Sequence, residues 1–187
     1  MKKVNNKTII FFLITFLSTT VVFAVTYRLQ PEKIPNKPEA FFEMRDTNKN
    51  LYDRTYNSFY YWNTNSGQIV KLQQDKDRFN IDYSQKYQIY SWSLPYDEYG
   101  ATCFLNDGSI HVLVNSNLID NEYSDIFERN RVYEFTICHE IGHCFGLADL
   151  GFFDTRNSVM SEYANKITTY QPTVNDINGV KASYGLN

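Results

Sequence analysis

His139 and His143 are the residues whose type and spacing most clearly predict chemistry. They are four residues apart, so an α-helix would place both imidazoles on one face, one turn from each other, where their nitrogens can bind a single metal ion. Glu140 would point in a different direction, so we expect its carboxylate to contact a water on the metal rather than the metal itself. That is the position of a general base.

The residues after His143 predict a third ligand. Gly146 follows three positions later, where a residue free to adopt a left-handed conformation can end the helix and turn the chain sharply. A catalytic zinc usually has three protein ligands and one open position, and this turn could bring Asp149 beneath the histidines. His111 could compete for the role, but it lies on a predicted strand, and we expect it to be an ordinary strand side chain.

The segment 139–149, HEIGHCFGLAD, resembles the HExxHxxGxxH/D signature of the metzincin zinc metalloproteases, and its final aspartate resembles the snapalysin-type branch. Metzincins also carry a methionine turn beneath the metal, and Ser158-Val159-Met160 is suitably placed for one. The stretch 172–185 is similar to the last helix of matrixins. The resemblance covers roughly residues 48–187 and is specific only in these three segments.

This resemblance implies an α+β, metzincin-type zincin fold. It has a mixed twisted sheet of four to five strands and about three main helices, and its active-site helix is followed by the methionine turn and a C-terminal helix. The resemblance also implies one catalytic Zn²⁺, with Met160 as a hydrophobic floor and Gly146 as the structural turn. The implied metal ligands are His139, His143 and Asp149.

The function implied by the resemblance is that of a zinc-dependent endopeptidase, with Glu140 as the general base toward a metal-activated water. By the same analogy, residues 109–115 form the edge strand that binds an extended peptide by main-chain pairing. The sequence departs from the family where some metzincins have a tyrosine two residues after the turn methionine, because Glu162 stands there and Tyr163 comes next. It also has no matrixin-type cysteine switch.

Two other classes of protein fit part of this pattern. One is a binding module that keeps the fold without activity, but such a module has no use for Glu140. The other is a closed structural zinc site, which requires a fourth ligand such as Cys144 or His111. On a helix, Cys144 lies about 100° around from His143, so we expect it to point away from the metal.

The elements that position these residues follow from periodicity and turn chemistry. Apolar spacing predicts helices over 50–62 and 126–145 and after Pro172, where Thr173 and Asp176 resemble a capping box. Asn106-Asp107-Gly108 predicts a tight hairpin turn. The predicted strands are 68–72, 79–83, 87–94, 101–105 and 109–115.

The N-terminus has the layout of an export signal, with lysines before an apolar run and Ala24 at the end of a cleavage site. We expect residues 1–24 to be removed and the protein to be secreted. Alternatively the run stays as an anchor at the cell surface, since about 18 apolar residues is the lower limit for spanning a membrane. Residues 25–47, rich in proline and charge, would form a tether to a catalytic domain at 48–187.

Charge and cysteine content limit the partners and covalent bonds. Removing residues 1–24 takes away three lysines and no acid, so the formal charge changes from −3 to −6. No cluster of basic residues is present, so we expect protein or peptide substrates, no nucleic acid, and a monomer. Cys138 and Cys144 are too far apart on one helix to form a disulfide. Cys103 could pair with either, or all three could be buried thiols.

Overall fold

The computed structural model describes residues 27–44, 48–74, 86–95, 97–151, 154–161 and 169–187. The predicted export signal 1–24, the predicted strand 79–83, and Glu162 and Tyr163 lie outside these ranges. No helix of the described residues is both long enough and apolar enough to cross a membrane.

Five strands form one mixed sheet, which confirms the predicted α+β class. The strands are β1 (Glu39–Met44), β2 (Lys71–Gln74), β3 (Tyr87–Ser91), β4 (Gly100–Phe104) and β5 (Ile110–Val114). Their order across the sheet is β2-β1-β3-β5-β4, and every neighbouring pair is parallel except β4 with β5. The last four strands lie close to predicted runs, whereas β1 was not predicted.

The place of β5 in the sheet contradicts the expectation that residues 109–115 form the edge strand. β5 lies between β3 and β4, and β4 is at the edge of the described sheet. The hairpin joining the two is as predicted, with Gly108 at a φ of 81° and the Asp107 carboxylate accepting from the Ser109 N–H. The turn residues predict that the two strands of the hairpin pair, but they do not predict which of the two contacts β3. The choice of 109–115 as the edge strand rested on the family analogy alone, and it was wrong.

The described helices are α1 (Lys49–Asn65), α2 (Ser116–Glu122), α3 (Ile126–Cys144) and α4 (Val174–Tyr184). The predicted capping box of α4 is present, because Thr173 and Asp176 exchange side-chain and backbone hydrogen bonds. Asp125 caps α3 by accepting from the N–H groups of Phe127 and Glu128. The short helix α2 was not predicted.

The core lies where α1 and α3 pack against each other and α3 packs on β4 and β5. Its largest fully buried side chains are aromatic, and the rings of Trp62 and Phe145 meet edge to face with centroids 5.5 Å apart. The Trp62 indole N–H donates to the carbonyl of Cys138 at 3.2 Å. Cys138 and Cys144 are buried free thiols and Cys103 is a partly exposed one, so no disulfide joins them. This packing fixes the position of α3.

Residues 27–34, here called the N-terminal strap, lie along the end of α3. Leu29 forms an antiparallel bridge with Leu147, and the Ile34 N–H donates to the carbonyl of Cys144 at 2.8 Å. Ile34 is buried in the core. The segment 25–47, predicted as a tether, therefore includes a packed strap and the strand β1, because Ile34, Phe42 and Met44 are buried against the domain.

Candidate metal centre

The last turns of α3 hold the two histidines as the spacing predicted. Their ring centroids are 4.8 Å apart. Each Nδ1 lies 2.8 Å from a backbone carbonyl, that of Val159 for His139 and that of Leu147 for His143. A carbonyl only accepts hydrogen bonds, so both Nδ1 atoms carry a proton, and in the neutral form of each ring Nε2 keeps a free lone pair. Those lone pairs are what a metal ion requires.

Asp149 is brought to the same place by the turn at Gly146. Gly146 has a φ of 82° and directly follows Phe145, the C-terminal cap of α3. Asp149 Oδ1 lies 3.0 Å from His139 Nε2 and 3.4 Å from His143 Nε2. The structure therefore brings together the three side chains that the sequence singled out as metal ligands.

The donor set fits a zinc ion. When both imidazoles are neutral, three atoms with lone pairs converge, and the buried Asp149 Oδ1 has no hydrogen-bond donor. Such an arrangement is repulsive unless a cation or a proton lies between the atoms. Tetrahedral zinc with ligands at about 2.0–2.1 Å separates them by about 3.3 Å, close to the two distances between Asp149 and the histidines. Nitrogen and carboxylate oxygen are also ligands that zinc accepts.

The same proximity changes proton affinities in the metal-free protein. Burial lowers the pKa of His139, but the hydrogen bond to Asp149 and the charges of Glu140 and Asp149 outweigh it and raise the pKa to about 9. Burial alone would raise the pKa of Asp149, yet hydrogen bonds and charge from the two histidines hold it well below its usual range. A proton therefore competes with a metal for this site.

No fourth protein ligand completes the group among the described residues. The Cys144 thiol donates to the carbonyl of Glu140 at 3.4 Å, and His111 Nδ1 lies 3.1 Å from the hydroxyl of Tyr90 on the neighbouring strand β3. Neither residue joins the three converging side chains, as the closed structural site would require. The centre instead faces an open cleft of about 700 Å³.

Met160 packs beneath the centre on the helix segment between the histidines. It is 2% exposed, and a Cβ on Gly142 would lie 2.2 Å from its Sδ. Gly142 thus has no side chain because the methionine turn occupies that space. The sequence did not reveal this contact, although a glycine inside a helix is a signal of close packing. The turn also orients His139 through the Val159 carbonyl.

Glu140 lies at the floor of the cleft and is 5% exposed. Burial raises the pKa of its carboxyl group, which the positive charge of the histidines partly offsets. Its Oε2 accepts from the Thr102 hydroxyl at 2.8 Å. Thr102 and Gln30, whose side-chain amide donates to the His143 carbonyl at 2.9 Å, were missed by sequence reasoning. No local pattern marks either residue.

No protein-family model and no curated protein matches this sequence. Solved structures do resemble it. The GM1-bound form of the ECX AB5 holotoxin gives a TM-score of 0.55 at 17% identity, over 84% of this chain and 86% of that one. Archaemetzincin from Methanopyrus kandleri gives 0.53 at 14% identity, over 81% of this chain and 97% of that one. Myroilysin gives a TM-score of 0.53 at 9% identity, over 87% of this chain and 100% of that one. At these identities the likeness shows the fold alone, and this chain shares the α+β fold of these structures.

Proposed function

We propose that this protein is a zinc-dependent endopeptidase of the metzincin type, with its zinc motif in the aspartate-ending, snapalysin-like form and its last helix matrixin-like. The observation that carries the proposal is the convergence of His139 Nε2, His143 Nε2 and Asp149 Oδ1 beside a buried carboxylate in an open cleft. The zincin-like fold supports it.

In this proposal His139, His143 and Asp149 hold one Zn²⁺, which when bound lowers the pKa of a water and polarises the scissile carbonyl. Glu140 accepts the proton of the attacking water and then gives it to the leaving amine. The backbone carbonyls of Val159 and Leu147 keep the histidines in the tautomer that binds metal.

The peptide substrate is proposed to bind along β4 in place of 109–115. β4 is the edge strand of the described sheet and lines the cleft together with Glu140. Hydrogen bonds join Leu105 N to Ser109 O and Asn115 N to Tyr99 O, so in this antiparallel ladder the odd-numbered residues of β4 face β5. The backbone groups of the even-numbered residues then point outward, where an extended peptide can pair with them.

The test is hydrolysis of an unfolded protein by zinc-loaded wild type and by Glu140→Ala. We expect about one zinc per chain in both, hydrolysis that a chelator stops in the wild type, and a loss of at least about 100-fold in the variant. Glu128→Gln is the matched control, because it removes an exposed carboxylate from the same helix and should change nothing. A wild-type rate in Glu140→Ala would refute the role of Glu140. Zinc binding without any hydrolysis would favour a metal-binding module.

We also propose that the protein is exported and acts outside the cell as a monomer, with residues 1–24 removed. The support is the layout of lysines, apolar run and small residues before Val25. N-terminal sequencing of protein recovered from the medium should begin at Val25. Recovery of the intact chain from the membrane fraction would favour the anchored alternative.

A further inference from the structure

Thr102, on the edge strand β4, contacts the carboxylate proposed as the general base. Its Oγ1 lies 2.8 Å from Glu140 Oε2 and 2.9 Å from the backbone carbonyl oxygen of Glu140. The two residues are 38 positions apart in the chain, so this contact depends on the packing of α3 against β4. Glu140 Oε2 is thereby held on the side of the strand.

A threonine hydroxyl has one proton, so it can serve only one of these acceptors fully. The carbonyl of Glu140 also accepts from the Cys144 thiol at 3.4 Å. The carboxylate carries the charge, and hydrogen bonds to charged acceptors are roughly twice as strong as neutral ones. The proton of Thr102 therefore belongs mainly to Glu140 Oε2, which leaves Oε1 as the oxygen available to a water.

Gly100, two residues earlier on the same strand, keeps open the space around Oε1. A Cβ at this position would lie 2.8 Å from Glu140 Oε1, 2.9 Å from Glu140 Cγ and 2.6 Å from Thr136 Cγ2. Any side chain here would push the flexible carboxylate out of its place. Thr102 thus binds one oxygen of the carboxylate, and Gly100 leaves room for the other.

The same two residues belong to the set whose backbone groups point away from β5 toward the open edge of β4. Their side-chain positions face α3, and their main-chain groups face the region proposed for the peptide. One stretch of strand therefore sets the distance between a paired substrate and the carboxylate. A displacement of the carboxylate by about 1 Å is enough to reduce a rate markedly.

We infer that Thr102 is a positioning residue for Glu140, and that Gly100 is kept without a side chain for the same purpose. This inference rests on the proposed peptidase function. The hydroxyl selects one orientation of the carboxylate, so that Glu140 is aimed at the water before the substrate binds.

The experiment compares Thr102→Val, which keeps the shape and removes the hydroxyl, with Thr102→Ser, which keeps the hydroxyl. With a fluorogenic peptide we expect kcat to fall about 10- to 100-fold in Thr102→Val with KM nearly unchanged, since one hydrogen bond to a charged group is lost. Thr102→Ser should recover most of kcat. Thr55→Val is the control: Thr55 is a buried threonine of α1 whose hydroxyl donates to Leu51 O, and neither residue lines the cleft. It should keep the wild-type rate.

Zinc content and melting temperature of each variant separate positioning from loss of the site or of the fold, and both should stay near wild type in Thr102→Val. Three kinetic results would overturn the inference: a kcat within about twofold of wild type, a loss confined to KM, or a serine variant as slow as the valine variant.

Crystal structures of the wild type, Thr102→Val and Gly100→Ala give a readout independent of activity. The Glu140 carboxylate should leave its wild-type position in both variants, and an unchanged carboxylate in both would overturn the inference. If the wild type hydrolyses no peptide, the proposed function fails, and these structures still decide whether Thr102 positions Glu140. If the wild type is active and the Thr102 variants hydrolyse the peptide at the wild-type rate, the peptidase proposal stands and this inference fails.

Discussion

The two sides of the cleft contact the residues of the site and its surroundings in different ways. Residues 97–104, here called the strand wall, reach Glu140 through a single side-chain hydroxyl. Residues 146–150 with 158–161, here called the turn wall, are joined to their surroundings by main-chain hydrogen bonds, such as Ala148 N to Arg28 O and Leu150 N to Met160 O. Main-chain bonds fix where a ligand sits whatever the side chains are. A side-chain bond can be tuned by one substitution, so we expect the turn wall to govern metal binding and the strand wall to govern rate.

The largest effect should come from a side chain added inside the turn wall. Gly146 has a φ of 82°, and a Cβ there would lie 2.7 Å from Ser183 Oγ and 3.4 Å from the backbone oxygen of Gln30. Gly146→Ala should lower the free energy of unfolding by about 2–5 kcal/mol, because it adds backbone strain to overpacking. Urea denaturation and zinc titration measure the loss of stability and of metal affinity.

The matched control for this prediction is Gly185→Ala. Gly185 also has a positive φ, 65°, but no atom lies within 4 Å of a Cβ built on it. It should lose only about 1–2 kcal/mol, the cost of the backbone conformation, and keep its zinc affinity. Equal losses in the two variants would show that neither Ser183 of α4 nor the strap hinders a side chain at Gly146.

The next effect concerns the buried carboxylate that ties the methionine turn to α4. Asp176 accepts from the Ser158 hydroxyl, from Val159 N at 3.2 Å and from Thr173 N at 2.7 Å. Asp176→Ala leaves these donors unsatisfied and should cost about 2–4 kcal/mol. Zinc affinity should fall about 10-fold, because the Val159 carbonyl orients His139.

Asp107→Ala is the control for Asp176→Ala. Its carboxylate also accepts from a neighbouring N–H and hydroxyl, both of Ser109, but it lies in the exposed hairpin turn. We expect a much smaller change in stability and none in zinc affinity. If Asp176→Ala binds zinc as tightly as the wild type, the methionine turn does not need α4 to orient His139.

The features that the sequence predicted correctly depend on residues near each other in the chain. The helical spacing of His139 and His143, the hairpin at Gly108 and the capping box at Thr173 each involve only a few neighbouring positions. Local backbone geometry decides such features, so they can be derived from one sequence. The turn at Gly146 belongs here too, and it delivered Asp149 where the sequence placed it. The role of Asp149 as a metal ligand stays a prediction that zinc titration tests.

The features that the sequence did not predict depend on distant residues. Thr102 meets Glu140 across 38 positions, and Gln30 meets His143 across 113. The order of strands is also settled by competition between whole segments for the core, which explains why β1 was missed and why β5 was taken for the edge strand. Periodicity describes one segment at a time and carries no information about its partner.

A smaller effect is expected where a side chain, and not the main chain, holds the strap to the last turn of α3. The Gln30 amide donates to the His143 carbonyl at 2.9 Å. Gln30→Ala should cost about 1 kcal/mol of stability and weaken zinc binding severalfold, because the carbonyl belongs to a ligand residue. Asn65→Ala is the control, since its amide donates to Pro172 O at the same distance, away from the cleft. Equal zinc affinity in the two variants would show that the strap supports the metal centre through its main-chain hydrogen bonds and not through the Gln30 side chain.

The smallest effect should come from an ion pair in the loop between the two parts of the turn wall. Arg156 and Asp154 form a forked pair, with Arg156 Nε donating to Asp154 Oδ1 and Nη2 donating to Oδ2, and these hydrogen bonds lower the pKa of Asp154. A carboxylate with a lowered folded-state pKa adds stability above its unfolded pKa and loses that contribution as pH falls through the folded value. Asp154→Asn should therefore cost at most about 1 kcal/mol at pH 7, and the difference from wild type should vanish in acid. Urea denaturation across pH measures the difference in stability between the variant and the wild type. If that difference persists below the folded-state pKa of Asp154, Asp154 acts on the loop through its geometry and not through its charge.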